Sequence, residues 1–138
     1  MSQNVNFGMV GLGKMGANIV RRLSRHGITS AVYDLSPEVV KSLAAEGAIA
    51  TSDMADMAAK LTAPRTIWIM VPAGVTDSTI AAMAEHLEKG DTIIDGGNSY
   101  YKNDLKNAAL LAEKGINFVD VGTSGGVYGL ERGYSLMI

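Results

Sequence analysis

The sequence contains no cysteine. Disulfide bonds, thiol catalysis and cysteine-based zinc sites are therefore excluded, and we expect a cytoplasmic protein with no metal site. Long apolar runs are also missing, because glycine or charged residues interrupt each one. We therefore expect no membrane partner. Residues 1–4 carry neither a basic group nor an apolar stretch, so no signal peptide is expected.

An excess of positive charge is absent as well. The formal net charge is −2 and the pI is about 5.6, which argues against nucleic acid as a partner. The 138 residues, of which 47% are hydrophobic, suffice for one globular domain with its own core. We predict a single dinucleotide-binding domain over residues 1–138.

A glycine-rich turn is the main functional signal. Gly11, Gly13 and Gly16 stand as G-x-G-x-x-G between an apolar run, Val5–Val10, and a helical pattern, Met15–His26. The first glycine permits a tight turn, the second lets a pyrophosphate approach the backbone, and the third lets the helix pack closely on the sheet. The N–H groups at the start of the helix then favour an anion.

An acidic residue at the expected distance supports this interpretation. Asp34 follows the next apolar run, Ser30–Tyr33, roughly 20 residues beyond the turn, where a ribose-binding acid belongs. Its carboxylate can accept hydrogen bonds from both ribose hydroxyls of NAD and would repel the 2′-phosphate of NADP. Leu35 offers no guanidinium to reverse that preference. We therefore expect NAD to be preferred over NADP.

Two alternatives compete with a dinucleotide turn. Gly8–Lys14 also fits G-x-x-x-x-G-K, but Met15 follows and offers no hydroxyl for Mg²⁺, so that alternative is rejected. The second is a turn that binds nothing, in which Asp34 only caps the turn before Ser36.

Strand-like runs alternate with helical patterns along the whole chain. Strands are predicted at Val5–Val10, Ser30–Asp34, Ala48–Ala50, Arg65–Val71, Thr92–Asp95 and Asn117–Val121, with another beginning at Tyr134–Ile138. Helices are predicted at Met15–His26, Ser36–Glu46, Met54–Leu61 (capped by Ser52 or Asp53), Asp77–Leu87 and Tyr101–Lys114. This alternation predicts an α/β fold with a doubly wound parallel sheet, a Rossmann-like NAD(P)-binding domain.

Ligands of such sheets bind at the carboxyl ends of the strands. Polar or glycine-rich segments follow the predicted strands there, and we expect them to meet at one rim: Gly11–Gly16, Asp34, Pro72–Gly74, Gly96–Ser99 and Gly122–Gly126. Asn98 either binds a ligand or caps the next helix. Ser124–Gly126 form either a carboxylate nest or a flexible turn. The residues alone leave both pairs of alternatives open.

The same rim offers no obvious general base. Asp95 and Asp120 end strands and are expected to cap the loops that follow. His26 and His86 lie near predicted helix C-termini without a catalytic partner. Lys102 is the only lysine or histidine near a late strand end, and it falls in a helix. The sequence predicts a rim that binds ligands but lacks a base for hydride transfer.

Three segments resemble the amino-terminal domain of the 6-phosphogluconate dehydrogenases (decarboxylating), which are β-hydroxyacid dehydrogenases. They are Val10–Asn18, Ile94–Ser99 and Asp120–Gly126, with Gly129 and Ser135–Met137 in addition. The family oxidises the 3-hydroxyl of 6-phosphogluconate, decarboxylates the resulting β-keto acid and releases ribulose 5-phosphate, a step of the pentose phosphate pathway. The resemblance implies the same substrate and reaction here.

The resemblance also implies roles for individual residues. The cofactor would be held by Gly11, Leu12, Gly13, Lys14, Met15, Gly16, Tyr33, Asp34, Leu35, Val71, Pro72, Ala73 and Asn98. The substrate would be bound by Asn98, Ser124, Gly125 and Gly126. NADP-using members carry Asn-Arg-Thr where this chain has Asp34-Leu35-Ser36, and many carry lysine where it has Pro72. The chain thus resembles an NAD-preferring branch.

The family's catalytic lysine and glutamate lie in sequence that follows Ile138, as does the helical domain that forms the dimer. We therefore expect this chain to be a fragment of a homo-oligomeric enzyme that binds cofactor but does not turn over. Its apolar end, Tyr134–Ile138, is expected to pair between chains. The alternatives are a non-catalytic nucleotide-binding module and a domain of another β-hydroxyacid dehydrogenase.

Overall fold

Six parallel strands form the central sheet of the computed structural model, which describes residues 5–97, 101–124 and 135–137. The strands are β1 (Phe7–Val10), β2 (Ala31–Tyr33), β3 (Ile49–Ala50), β4 (Thr66–Ile69), β5 (Thr92–Asp95) and β6 (Asn117–Asp120). Their spatial order is β3-β2-β1-β4-β5-β6. The chain therefore winds outward from β1 in both directions, which confirms the predicted doubly wound sheet.

Five helices cover the two faces of the sheet. They are α1 (Lys14–Arg25), α2 (Pro37–Ala45), α3 (Met54–Lys60), α4 (Ala73–Ala84) and α5 (Tyr101–Glu113). Helices α1 and α2 pack on one face, and α3, α4 and α5 pack on the other. Successive residues of β4 alternate between the faces, since Ile67 and Ile69 enter one core and Trp68 the other.

No helix in the described part of the chain combines the length and the apolarity needed to cross a bilayer.

The predicted start of α4 was wrong by four residues. The helix begins at Ala73 and ends at Ala84, and Gly74 lies inside it instead of turning the chain. Pro72 explains the difference, because its φ of −56° and ψ of 146° place it at the N-cap of the helix. The Val75 N–H already donates to the Pro72 carbonyl, at 3.0 Å. The strand ends at Ile69, and Pro72 starts the helix three residues later.

The cap of α3 is settled in favour of Asp53. Its Oδ1 accepts a hydrogen bond from the Asp56 N–H at 2.7 Å, so it satisfies one of the N–H groups at the helix start.

A short antiparallel pair follows the main sheet. β7 (Gly122–Ser124) pairs with β8 (Ser135–Met137), and Gly122 lies opposite Met137. The strand predicted at Tyr134–Ile138 is confirmed for residues 135–137, whereas Tyr134 and Ile138 lie outside the described residues. Pairing between chains at this end stays a prediction.

A buried carboxylate fixes the amino-terminal edge of the sheet. Asp91, with 0% of its surface exposed, accepts hydrogen bonds from the N–H of Arg65 at 2.7 Å and of Glu88 at 2.9 Å. The Arg65 guanidinium lies 3.8 Å from its Oδ2. One side chain thereby holds the starts of β4 and β5 together, at the edge opposite the strand ends expected to bind ligands.

We predict that Asp91→Ala lowers the free energy of unfolding by about 3 kcal/mol, because two buried N–H groups and a guanidinium lose their acceptor. Urea denaturation of the purified chain measures this loss. Glu88→Ala is the control, since it removes only an exposed ion pair with Arg65, 3.3 Å long, and should cost less than about 1 kcal/mol. Equal, small losses in both variants would contradict this role of Asp91.

Candidate functional site

A cavity of about 530 Å³ opens at the carboxyl ends of β1 and β4, where the strand order reverses. This is the position at which doubly wound sheets bind their ligands. The structure brings together there these residues predicted for the site: Gly11, Gly13, Tyr33, Asp34, Leu35, Val71 and Pro72. The segments after β1, β2 and β4 therefore meet at one rim, as the sequence predicts.

The glycine turn owes its shape to two close approaches. Gly11 has a φ of +96°, and a Cβ there would overlap the Met70 carbonyl. A Cβ at Gly16 would overlap the Gly11 carbonyl oxygen. Gly16 therefore lets α1 lie directly against the glycine turn. The Met70 side chain, just after β4, is the next nearest group, 3.7 Å from the position of the added Cβ. Both positions require glycine for the fold itself.

Gly13 differs from the other two glycines. Its φ is −63°, which any residue adopts, and an added Cβ would meet no atom within 4 Å. Gly13 nevertheless lines the cavity. The protein does not need glycine here for its own packing, and the open space leaves the Gly13 backbone accessible from the cavity.

The backbone around Gly13 favours an anion. Gly13 is the N-cap of α1, and within this described helix there is no side-chain cap and no acidic residue in the first turn. The first N–H groups of a helix have no intrahelical acceptor and carry the positive end of its dipole. Two hydrogen bonds hold the turn in place: the Gly11 N–H to the Tyr33 carbonyl at 2.9 Å, and the Met70 N–H to the Val10 carbonyl at 2.8 Å.

The half-buried Asp34 connects this turn to β2 and α2. Its Oδ2 accepts a hydrogen bond from the Leu12 N–H at 2.7 Å, and its Oδ1 accepts one from the Ser36 N–H at 2.8 Å. Asp34 does cap the turn before Ser36, yet it also borders the cavity. A carboxylate has about four acceptor sites, so one lone pair on each oxygen remains for a ligand hydroxyl.

Other predicted site residues do not face the cavity with their side chains. Leu12 is buried and packs in the core beneath α1, while the Lys14 side chain is exposed and Met15 packs toward the same core. They can serve a ligand through their backbone N–H groups. Ala73 starts α4 and Ser124 ends β7. The predicted roles of Asn98, Gly125 and Gly126 fall outside the described residues.

Several residues of the cavity were missed by the sequence analysis. Val10 ends β1, Met70 follows β4, Met54 comes from α3, and Val75, Ser78 and Thr79 come from α4. Ser78 and Thr79 both donate their hydroxyl protons to the Val75 carbonyl, at 3.0 and 2.7 Å. The wall contributed by α4 is therefore largely apolar. Pro72 was the signal in the sequence: a helix that starts directly after it would have been predicted to contribute this wall.

The strand-end acid Asp95 is structural, as predicted. It is fully buried, and its Oδ1 accepts a hydrogen bond from the Gly97 N–H at 3.0 Å. A Cβ at Gly96 would overlap the Trp68 indole, so the loop after β5 lies directly on β4. His26 and His86 are exposed. Among the described residues that line the cavity there is no lysine or histidine.

Comparison with known proteins gives a consistent picture. A family model described as the NAD binding domain of 6-phosphogluconate dehydrogenase matches residues 6–138. The decarboxylating 6-phosphogluconate dehydrogenase of Haemophilus influenzae is 41% identical over 143 aligned positions, which cover 99% of this chain and 30% of that protein. The NAD(+)-dependent decarboxylating enzyme of Haloferax volcanii is 37% identical over 135 positions, covering 97% of this chain and 44% of that protein.

A solved structure agrees with the sequence relatives. Plasmodium falciparum 6-phosphogluconate dehydrogenase, solved in its apo form, with its cofactor NADP+ and with its substrate 6-phosphogluconate, matches with a TM-score of 0.88 at 30% identity. The match covers 96% of this chain and 30% of that one. The chain thus spans less than half the length of these relatives.

We predict that Gly13→Ala weakens NADH binding about tenfold or more while leaving the unfolding midpoint almost unchanged. The new methyl group meets no protein atom within 4 Å but would take up the space that the predicted pyrophosphate needs, and about 1.4 kcal/mol suffices for a tenfold effect. Calorimetric titration with NADH and thermal denaturation measure the two quantities.

Gly16→Ala is the matched comparison, because the same methyl group there overlaps the Gly11 carbonyl. It should lower the unfolding midpoint clearly. If Gly13→Ala lost stability and Gly16→Ala did not, the roles assigned to the two glycines would be reversed.

Proposed function

This chain belongs to the family of NAD-binding domains of 6-phosphogluconate dehydrogenase, and we propose that its protein oxidises and decarboxylates 6-phosphogluconate with NAD as the oxidant. In that reaction the 3-hydroxyl of the substrate becomes a ketone, its hydride passes to NAD, and loss of CO₂ gives ribulose 5-phosphate. The observation that carries the choice of NAD is the Asp34 carboxylate at the border of the cavity.

The relatives leave the choice of cofactor open, since the Haloferax enzyme is described as NAD(+)-dependent and the Plasmodium structure has NADP+ as its cofactor. Support for NAD therefore has to come from the residues of this chain. Asp34 offers one free acceptor site on each oxygen, which suits the two ribose hydroxyls of NAD. A 2′-phosphate would place two further negative charges beside the carboxylate. At an effective dielectric constant near 20, each unit charge about 4 Å away costs about 4 kcal/mol.

The rest of the cavity fits a dinucleotide. The N–H groups that start α1 face a pyrophosphate at Gly13, and Leu35, with 90% of its surface exposed, is free to close over the adenosine half. The apolar wall formed by Met54, Val75 and Thr79 suits a flat base better than a charged group. NAD, when bound, supplies the hydride acceptor, and these residues bind and orient it.

The remaining catalytic groups are part of the same proposal. Asn98, Ser124, Gly125 and Gly126 are the residues that we propose for the substrate. The segments outside the described residues contain no lysine or histidine, and the described cavity has none in its lining. Because oxidation of the alcohol needs a base near its hydroxyl, we propose that the 138-residue chain binds NADH and does not turn over alone.

We predict that the chain binds NADH at least tenfold more tightly than NADPH, and that Asp34→Asn weakens NADH binding about tenfold. The amide keeps only one acceptor oxygen, so it cannot serve both backbone donors and both ribose hydroxyls. Calorimetric titration measures all four affinities. Asp53→Asn is the matched control, since it removes the same charge from an aspartate that caps α3 and lines no cavity described here. Equal affinities, or a preference for NADPH, would contradict the assignment.

A second prediction concerns turnover. The purified chain mixed with NAD and 6-phosphogluconate should produce no NADH absorbance above a protein-free blank, because the described lining of its cavity holds no lysine or histidine to act as the base. Measurable, substrate-dependent NADH formation would show that the chain contains the base that we place elsewhere.

A further inference from the structure

We propose that Met54 and Met70 are oxidation sites of this chain, at which a hydroperoxide converts the thioether into a sulfoxide and weakens cofactor binding. Both side chains line the cavity at the glycine turn. The effect on the cofactor rests on the proposed function, whereas the oxidation depends only on where the two side chains lie. Because methionine sulfoxide reductases reverse the modification, its effect on the cavity is reversible.

Methionine is the only source of reactive sulfur in this chain. The sequence has 8 methionines and no cysteine, so a peroxide finds no thiol to oxidise. Reaction at a thioether requires that the oxidant reach the sulfur. Access therefore decides which of the methionines react.

Access divides the methionines that the structure describes. Met9, Met57 and Met83 are completely buried, and none of them lines a described cavity. Met54 and Met70 are half-buried, and both border the cavity of about 530 Å³ at the carboxyl ends of β1 and β4. A small oxidant that enters this cavity meets two thioethers, while the core methionines stay out of its reach.

Helix α3 contains a matched pair of methionines. Met54 is its first residue, and Met57 follows three positions later. A Cβ placed on Gly8 would lie only 2.7 Å from the Met57 Sδ, so β1 covers that sulfur directly. Met54 instead packs at the margin of the same core and reaches the cavity wall. The two thioethers share one short helix and differ in access.

The oxidation transfers one oxygen atom to sulfur. A lone pair of the thioether attacks one oxygen of the peroxide, an S–O bond forms and the O–O bond breaks. The sulfur loses two electrons, and the second peroxide oxygen takes them and leaves as hydroxide. This hydroxide accepts the proton of the new S–OH group, so the products are the sulfoxide and water. With hydrogen peroxide as the oxidant, no further reactant is needed.

A sulfoxide does not suit the wall of this cavity. The lining includes the apolar side chains of Val10, Val71 and Val75. Ser78 and Thr79 also belong to it, but their hydroxyl protons are donated to the Val75 carbonyl, at 3.0 and 2.7 Å. A bound cofactor would strip water from the sulfoxide oxygen without a hydroxyl proton from α4 to replace it, and such a loss costs free energy. Oxidation therefore weakens binding.

The first measurement is the rate of oxygen addition at each methionine. The 138-residue chain is treated with dilute hydrogen peroxide, quenched with catalase, digested and analysed by tandem mass spectrometry. Met54 and Met70 should gain oxygen at least about tenfold faster than Met57. Saturating NAD, chosen because it is already the oxidised form of the cofactor, should slow both sites. The proposal is overturned if Met57 reacts as fast as the two cavity methionines, or if bound NAD leaves their rates unchanged.

The second measurement is NADH affinity, by calorimetry, before peroxide treatment and after the peroxide has been removed. The oxidised wild-type chain should bind NADH at least about fivefold more weakly. Methionine sulfoxide reductases A and B should restore the affinity. An affinity that peroxide leaves unchanged, or a loss that the reductases do not reverse, overturns the proposal.

Variants assign the effect to the two sites. Met54→Leu/Met70→Leu should have the same NADH affinity before and after peroxide, whatever that affinity is. Met57→Leu is the matched control, because the exchange nearly conserves side-chain volume, and it should lose affinity on oxidation as the wild type does. Met83→Leu takes its place if Met57→Leu does not fold, as judged by circular dichroism.

The remaining outcomes separate this proposal from the proposed function. A loss of affinity that persists in the double leucine variant overturns the assignment to the two cavity methionines. If the untreated chain binds no NADH, the proposed function fails instead. The order of oxidation rates then decides alone whether Met54 and Met70 are oxidation sites.

Discussion

The hydrogen bond from the Leu12 N–H to Asp34 joins the two parts of the site that come from distant parts of the sequence. Leu12 belongs to the turn after β1, and Asp34 follows β2, so the bond spans 22 residues at 2.7 Å. A second bond, from Ser36, fixes the other carboxylate oxygen. The orientation of the acid is therefore set by the backbone before any ligand arrives, which is the preorganisation that a specific binding site needs.

This bond depends in turn on how closely the chain packs at the turn. Gly11 passes beneath the Met70 carbonyl, and Gly16 lets α1 begin directly above Gly11. A side chain at either position would move α1 away from the sheet, and the Leu12 N–H would move with the turn. The fold and the proposed ribose site thus share one constraint. At Gly13, in contrast, an added Cβ would meet no atom within 4 Å, so the same short motif contains two glycines that the fold requires and one that it does not.

Much of this could be predicted from the sequence, because the relevant signals are local. Alternating strand and helix patterns predict the doubly wound sheet, and glycine spacing with Asp34 predicts the border of the cavity. The wall formed by α4 could not be predicted in the same way. The segment after Pro72 includes Gly74, which lowers its helical preference, and the start of the helix follows the backbone geometry of Pro72 at the N-cap. Met54 reaches the cavity only through the tertiary position of α3.

Asp34 shows why two interpretations of one residue need not exclude each other. Turn capping and ribose binding are alternatives for a group with one acceptor, but a carboxylate has enough lone pairs for both. The cap uses one acceptor site on each oxygen and leaves the second site on each oxygen for another donor. The same count explains why an amide is a poor replacement: it keeps one acceptor oxygen for two backbone donors that remain in place. The residue that we propose to set cofactor choice is therefore tied to the shape of the glycine turn, and any replacement must satisfy the Leu12 and Ser36 N–H groups or leave them to the ligand.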